Sequence, residues 1–391
     1  MNSYLPTYLK KKNRTLVLDL FLEHKELTRP DITRMTGISL PTVMKIAEFM
    51  ISKDILIEDR EHVTLSGSGL GRKSQLLRLN PNAYSTIGIY FEGNALRIGL
   101  VNMAFEVVEQ KSFPLKPKRL SEDELEILSY TIMEELRRIC DHHPETNILG
   151  VGFALPGIVD CENMKIQKSR NYLYCDDFYK MFPAFKGLTQ MPLYLENDMN
   201  AASLGEMIQR KLFSNGNLIY LSLGTGFGSG IIMNSEIWHG ASYFAGNVAK
   251  MVIPYMTEDG LRYETERCVE DYICQSELQT RFDFDLRYKE SCSGEKRKEV
   301  IHYISQYLVT VINNLSYTLD ISDFVLAGLT VEYFGEELYK TLGEEMARLY
   351  NPSWARPEIR ITPPVNGNEG IVGAAYIAFS NCIPELLAET I

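Results

Sequence analysis

The fold is decided by the stretch YLENDMNAASLGE, residues 194–206, read together with the glycine-rich run LGTGFGSG at residues 223–230. Residues 193–195 are apolar and predict the end of a buried strand. The polar residues that follow are Glu196, Asn197, Asp198 and Asn200. Small residues between 201 and 205 predict a helix that packs closely beneath them. The stretch therefore predicts either a site that binds a polyhydroxylated ligand or an Asx-rich turn that caps the helix.

The glycine-rich run follows an apolar segment, residues 219–223, that is typical of a strand. A dinucleotide-binding fingerprint would open a helix at this point, whereas residues 231–233 continue as a strand and Asn234-Ser235 predicts a hairpin turn. The run is therefore not a Rossmann motif. A glycine loop between two strands can still present backbone N–H groups to a phosphate or a sugar.

Length and composition indicate a globular protein of two or three domains. The 391 residues are 45% hydrophobic and 23% charged. We find no apolar run near the ~20 residues of a membrane span, and the first residues lack the apolar core of a secretion signal. The seven cysteines are scattered, with no CxxC pair. Reduced thiols in a cytoplasm, and no membrane partner, are expected.

The net charge of −11 conceals an asymmetry between the two ends of the chain. Residues 1–80 contain 13 basic and 9 acidic residues, a net of +4, and the other 311 contain 27 and 42, a net of −15. A basic head on an acidic body indicates that only the head meets a polyanion.

The head carries the pattern of a helix-turn-helix. Thr28-Arg29-Pro30-Asp31 predicts a capping box that starts a short helix, and Gly37 predicts its left-handed end. Ser39 predicts the N-cap of a third helix with Pro41 in its first turn. That helix is expected to bury Val43, Ile46, Ala47, Met50 and Ile51. Two short helices joined by a glycine turn place the second in the major groove of DNA.

A hairpin follows and predicts the wing of a winged helix. Its strands are predicted at residues 55–57 and 75–79, with a polar tip from 59 to 73. Lys10, Lys11 and Lys12 could add a basic arm. The predicted DNA contacts are Ser39, Thr42 and Lys45 on the recognition helix and Arg72 and Lys73 in the wing. The alternative is a winged helix that contacts another protein.

The body alternates strands and helices, which predicts an α/β architecture with a largely buried sheet. Strands are predicted at residues 87–91, 96–101, 107–113 and 148–153, and a helix at 121–140 that Ser121 and Glu124 cap.

At this point the chain resembles the ROK family (repressors, open reading frames and kinases), which joins sugar kinases of the actin-like fold to sugar-responsive repressors. The motifs that carry the resemblance are VGFALPGIVD (151–160), ENDMNAASLGE (196–206), LSLGTGFGSGIIM (221–233), HGASYFAGNVAKM (239–251) and NEGIVGAAYIAF (368–379). TGISLPTV (36–43) and GRKSQLLRLNP (71–81) are similar to the transcriptional-regulator branch, which holds xylose and N-acetylglucosamine repressors. The resemblance covers nearly the whole chain.

The kinase motif of the family is altered here. In the kinases the first strand ends in an Asp followed by Gly-Gly-Thr, which handles phosphate and magnesium. This chain has Tyr90 at the aspartate position and Glu92 at the first glycine, and its adenosine loop, 326–330, keeps only Gly328. A carboxylate facing a triphosphate repels it, and no magnesium ligand remains at Tyr90. We expect neither ATP binding nor phosphoryl transfer, so no catalytic residue and no cofactor is predicted.

The resemblance also implies a structural zinc held by one His and three Cys. Of these the chain keeps only Cys268, because Leu261, Tyr263 and Lys250 occupy the other positions. One thiol cannot hold zinc, which takes four ligands, so no metal is expected.

By the same resemblance the sugar-contacting positions are largely kept. They are Gly157 (through its backbone), Asn171, Asn197, Asp198, Asn247, Lys250 and Glu270. Asn247 replaces the family's glutamate, and Asp198 matches the kinase base. An amide in place of a carboxylate, beside a new lysine, favours an acidic or phosphorylated ligand over a plain hexose.

The sequence therefore predicts a sugar-responsive DNA-binding regulator, a repressor, that works in the cytoplasm as a dimer or tetramer. The expected domains are a winged helix at 1–80, a first actin-like lobe at 84–196 plus 370–391, and a second at 197–369, with the sugar site in a cleft where the lobes meet. An active sugar kinase with a DNA-binding head, and a DNA-bound regulator without a small-molecule ligand, remain the alternatives.

Overall fold

The structure is a computed structural model that describes residues 6–64, 74–115, 120–167, 177–187, 191–257, 260–262, 267–349, 353 and 358–389. Its helices, in chain order, are α1 (Pro6–His24), α2 (Arg29–Thr36), α3 (Leu40–Ser52), α4 (Glu122–His142), α5 (Phe178–Met181), α6 (Asp198–Gln209), α7 (Glu270–Ile273), α8 (Gln275–Phe282), α9 (Gly294–Leu319), α10 (Leu329–Phe334), α11 (Glu336–Leu349) and α12 (Glu369–Ala388).

The strands are β1 (Glu26–Thr28), β2 (Leu56–Thr64), β3 (Ser74–Leu79), β4 (Ser85–Glu92), β5 (Ala95–Asn102), β6 (Val107–Pro114), β7 (Ile148–Leu155), β8 (Ile158–Asp160), β9 (Lys165–Gln167), β10 (Leu193–Asn197), β11 (Leu218–Leu223), β12 (Phe227–Met233), β13 (Glu236–Ile237), β14 (Tyr255–Thr257), β15 (Gly260–Arg262), β16 (Asp323–Ala327) and β17 (Arg360–Thr362). The chain forms two compact units. The first contains residues 1–198, 208–214 and 370–391, and the second contains residues 199–207 and 215–369.

The N-terminal part of the first unit is a winged helix-turn-helix. Thr28 and Asp31 form the expected capping box at the start of α2, and Gly37 ends it with a φ of 71°. The strands β1, β3 and β2 form an antiparallel sheet in that order. Two details differ from the sequence prediction. The strand β2 runs on to Thr64 rather than ending before residue 59, and the lysines at 10–12 lie within α1 rather than in an extended arm.

The core of this head is built on α1 and α3. Val43, Ile46, Ala47 and Met50 are buried as expected. Phe49 is also buried completely, whereas Ile51 is only half-buried. The buried face of the helix therefore includes Phe49 in addition to the predicted residues. The Arg14 guanidinium lies over the Phe49 ring, 3.2 Å from its centroid.

The rest of the first unit is a five-stranded sheet in the order β6-β5-β4-β7-β10. The strands β4, β5 and β6 form an antiparallel meander, and β7 and β10 run parallel to β4. The aromatic rings of Phe91, Phe153, Phe178, Phe182 and Phe185 pack together in the core.

The second unit repeats this arrangement with different strands. Its sheet has the order β13-β12-β11-β16-β17, in which β11, β12 and β13 form the meander and β16 and β17 run parallel to β11. Numbered along the chain, both sheets read 3-2-1-4-5. The long helix α9 buries nine residues, among them Ile304, Leu308 and Ile312, in the core of this unit. The α/β fold class, with an N-terminal winged helix and an actin-like body, is confirmed.

One helix in the described part of the chain, α12, is long and apolar enough to cross a membrane by length and composition, a feature that sequence reasoning overlooked. Most of its apolar residues are buried, including Ile371, Val372, Ala374, Ala375 and Ala378. A Cβ added to Gly152 of β7 would overlap the Ala374 carbonyl oxygen, so the helix backbone lies directly on the sheet. This burial explains why the helix is apolar on every side.

Candidate functional site

The first unit holds a polar corner where β10 ends and α6 begins. The Asn197 amide nitrogen donates to the Gly157 carbonyl oxygen at 2.8 Å and to Asp198 Oδ1 at 2.9 Å. Gly157 has a φ of 118°, which favours glycine. Asn197 and Asp198 are half-buried, and they form the first strand-to-helix turn of the stretch that opened the sequence prediction. The corner therefore brings together three of the predicted sugar-contacting residues.

Glu196 is buried beside this corner. It is 3% exposed, and its Oε1 accepts the Asn197 backbone N–H at 2.8 Å. A carboxylate that bonds to a backbone N–H stays in place, and here it fixes the start of the turn. The sequence pattern grouped Glu196 with the ligand-facing residues, whereas the structure gives it a supporting position.

The second unit holds a group of charged residues around the start of α7. Lys250 Nζ lies 3.0 Å from Glu270 Oε2 and 3.8 Å from Cys268 Sγ, and the Cys268 thiol donates to Asp271 Oδ2 at 2.9 Å. Burial raises the pKa of the Cys268 thiol, and the hydrogen bond to Asp271 raises it further. The thiol is therefore protonated at neutral pH and serves as a hydrogen-bond donor.

The glycine-rich run owes its composition to this group and to α6. The Phe227 backbone N–H donates to Glu270 Oε1 at 3.3 Å, and a Cβ on Gly226 would lie 2.7 Å from that same oxygen. A Cβ on Gly230 would lie 2.5 Å from the Met199 carbonyl oxygen. The close approach of Glu270 and of α6 therefore accounts for these glycines, because at both points the glycine-rich run packs against other residues of the protein.

The other predicted ligand residues differ in how they are placed. Asn247 is exposed and precedes a single turn of 3-10 helix, Val248–Lys250, without a side-chain capping bond. Asn171 lies outside the described residues.

The third helix of the head presents a face of exposed residues. Ser39 and Thr42 share a hydrogen bond between their hydroxyl oxygens at 2.9 Å, and Lys45 is exposed one turn further along. Arg72 and Lys73 lie outside the described residues. Sequence reasoning missed Leu40, Met44 and Glu48, which are also exposed on this helix. Their spacing of four residues places them on one side of the helix, next to its buried positions, and could have identified them.

The ROK family model matches residues 86–381 of the chain. This protein belongs to the ROK family. A xylose repressor of Caldicellulosiruptor bescii is 28% identical over 274 residues, which are 70% of this ROK chain and 66% of the relative. A glucokinase of Halalkalibacterium halodurans is 25% identical over 321 residues, 74% of this chain and 94% of the relative. The chain thus spans less than two thirds of the length of the xylose repressor that it matches.

Two solved structures share the fold. The crystal structure of a ROK family transcriptional regulator, a homologue of the E. coli MLC protein, covers 97% of this chain with a TM-score of 0.73 at 15% identity, and 98% of that chain is covered. The ROK hexokinase from Thermus thermophilus covers 76% of this chain and 98% of its own, with a TM-score of 0.58 at 19% identity. The regulator therefore matches the head as well as the body.

At the end of β4, where this ROK chain departs from the kinase pattern, a buried aromatic ring stands at the position of the kinase aspartate. Tyr90 is only 6% exposed, and a Cβ on Gly370 would overlap its ring. Glu92 is half-exposed and pairs with Arg97 at 3.4 Å. The end of β4 thus presents a buried phenol and a paired carboxylate where the family resemblance puts the phosphate-handling residues.

Proposed function

We propose that this ROK protein is a sugar-responsive, DNA-binding transcriptional repressor without kinase activity. The observation that carries the proposal is the head: a capped helix-turn-helix with a wing, in which the outer face of α3 is exposed. A second helix of this kind enters the major groove. The matched relatives named as xylose repressors support the same function. The predicted DNA contacts Ser39, Thr42, Lys45, Arg72 and Lys73 remain part of the proposal.

DNA binding is tested with the full chain and a random DNA library. Repeated selection on immobilised protein should enrich one sequence family, and fluorescence anisotropy should show binding that weakens as salt rises. Lys45→Ala should weaken binding to all sequences by a similar factor, because a phosphate contact carries no sequence information. Failure to enrich any sequence would contradict the proposal.

The absence of kinase activity is proposed from the end of β4. Phosphoryl transfer depends on positioning and on charge neutralisation by a metal, and Tyr90 offers no carboxylate for one. The glucokinase relative favours the second candidate function, an active sugar kinase. A coupled ATPase assay over a panel of sugars should show no turnover above the rate without sugar. Sugar-dependent release of ADP would establish the kinase instead.

We propose that the effector is a sugar and that the residues expected from the family resemblance contact it. They are Gly157, Asn171, Asn197, Asp198, Asn247, Lys250 and Glu270. Lys250 is paired with Glu270, so the pair carries no net charge and the acidic ligand expected from the sequence loses part of its support. The effector panel must therefore include neutral sugars, with D-xylose among them, as well as sugar acids and sugar phosphates.

Thermal unfolding separates the sensor from a regulator that binds no small molecule. An effector at 100 times its Kd stabilises the folded protein by about 2.7 kcal/mol, which is readily measured as a rise in Tm. Asp198→Ala should abolish the rise, because a hydroxyl of the sugar loses its acceptor. The proposed regulator works in the cytoplasm and binds a two-fold operator as a dimer or tetramer, which sedimentation with operator DNA would test.

A further inference from the structure

The recognition helix α3 carries a pair of large apolar side chains on its outer face. Leu40 is 43% exposed and Met44 is 45% exposed, one helical turn apart. Val43 and Ala47, their neighbours at helical spacing, are almost fully buried, so the pair lies at the edge of the packed face. Large apolar side chains that stand exposed side by side mark a surface that contacts something else.

The pair lies on the helix that is proposed to meet DNA. Residues 40 and 44 belong to the first half of α3, the part of a recognition helix that contacts base edges. Lys45 is exposed beside them, and Glu48 follows one turn after Met44. The single lysine and the single glutamate cancel in net charge, so uncharged side chains are free to contribute to sequence discrimination on this helix.

The major groove offers one apolar group to such side chains, which is the 5-methyl group of thymine. We propose that Leu40 and Met44 contact thymine methyl groups and thereby set the sequence preference of the protein. Two residues one turn apart lie about 6 Å from each other along the helix, which suits thymines at neighbouring or next-neighbouring base pairs. The inference rests on the proposed DNA binding, and it adds the class of base that is read.

The test uses the full chain and the DNA sequence enriched from the random library. Each thymine of the binding site is replaced in turn by deoxyuridine, which removes only the methyl group and leaves base pairing unchanged. Losing one buried methyl corresponds to about 0.8 kcal/mol, a weakening of about fourfold in Kd. We expect that weakening at one or more thymines of each half-site, and a ratio near one at the remaining thymines.

The variants Leu40→Ala and Met44→Ala identify the contacting residue. Each should bind the thymine site more weakly and should lose the difference between thymine and deoxyuridine at its own position only. Both residues are exposed, so the variants should fold, and circular dichroism would show it. Lys45→Ala is the matched control: its affinity falls, but the thymine-to-deoxyuridine ratio stays as in the wild type.

Three results would overturn the inference. The first is a specific binding site at which every deoxyuridine substitution leaves Kd unchanged. The second is a methyl effect that persists in both alanine variants. The third is a loss of self-association rather than of methyl discrimination in Met44→Ala, which would assign the patch to a second copy of the chain. An experiment that enriches no sequence would instead refute the proposed DNA binding, and this inference with it.

Discussion

Replacing Arg14 should loosen the end of α12, because that side chain hydrogen-bonds from the head to the C-terminal end of this helix. Arg14 is 3% exposed, and its Nη1 donates to the Leu387 carbonyl at 2.6 Å and to the Glu389 carbonyl at 2.8 Å. Its guanidinium also stacks on Phe49 of α3. The last carbonyls of a helix have no partner within the helix, so these two bonds satisfy groups that otherwise depend on water.

The magnitude follows from the contacts that Arg14→Met removes. A hydrogen bond with a charged donor contributes about 1.5 to 3 kcal/mol, and the stacked cation about 0.5 to 2 kcal/mol. Water can replace part of this at a helix end, and the methionine keeps the apolar stem. We expect a net loss of about 2 to 4 kcal/mol in the stability of this contact. Each 1.4 kcal/mol is a factor of ten, so local opening should become about 30 to 1,000 times more frequent.

Hydrogen–deuterium exchange measures that opening directly, and it does not require the whole chain to unfold in one step. Peptides that cover residues 380–389 should exchange faster in Arg14→Met by the factor given above. Arg348→Met is the control, because Arg348 is exposed and pairs only with Glu345 on its own helix among the described contacts. The reasoning is refuted if exchange at 380–389 is the same in Arg14→Met and wild type, or if Arg348→Met accelerates it equally.

Three further predictions concern other parts of the molecule. Burial raises the pKa of Asp19 to about 6, above its unfolded value near 4. The free energy of unfolding should therefore fall as pH rises from ~4 to ~6. Thermal unfolding at a series of pH values should show a flatter slope for Asp19→Asn. Gly226→Ala should displace Glu270 and weaken the proposed effector binding at least tenfold by calorimetry, with Tm lowered by only a few degrees. Gly370→Ala should cost about 1 to 3 kcal/mol by forcing the Tyr90 ring aside, and the cost should shrink in the Tyr90→Ala background of a double-mutant cycle.

Much of the fold could be predicted from sequence because its signals are local. The capping box at Thr28, the left-handed Gly37 and the hairpin at Asn234-Ser235 each depend on residues a few positions apart, and the structure has all of them. The positions of β4 to β7, β10, β11 and part of β12 followed from short apolar runs, whereas β16 and β17 were not predicted. The extent of β2 could not be predicted, because its residues after 59 are polar and show no apolar alternation. They form a strand because they pair with β3.

The candidate site divides in the same way. Asn197 and Asp198 are neighbours in sequence, and the turn that joins a strand to a helix places both. The supporting position of Glu196 could not be predicted from the sequence. A carboxylate that precedes an amide can face a ligand or accept a backbone N–H, and the same sequence is compatible with both. The pairing of Lys250 with Glu270 spans 20 residues and depends on how α7 packs against the glycine run.

The excess of four basic residues in the head, which suggested a polyanion-binding surface, does not all lie on such a surface. Arg14 is buried under α12, Arg29 pairs with Glu58 at 2.8 Å, and Arg78 pairs with Glu26 at 3.0 Å. Those cations hold the domain together, so they cannot all contribute to a phosphate-binding surface. In the proposed DNA complex, affinity then comes from fewer phosphate contacts than the count implies, and base contacts contribute more. That shift in balance predicts a shallower dependence of affinity on salt than +4 would suggest, together with the strong dependence on thymine methyl groups proposed for Leu40 and Met44.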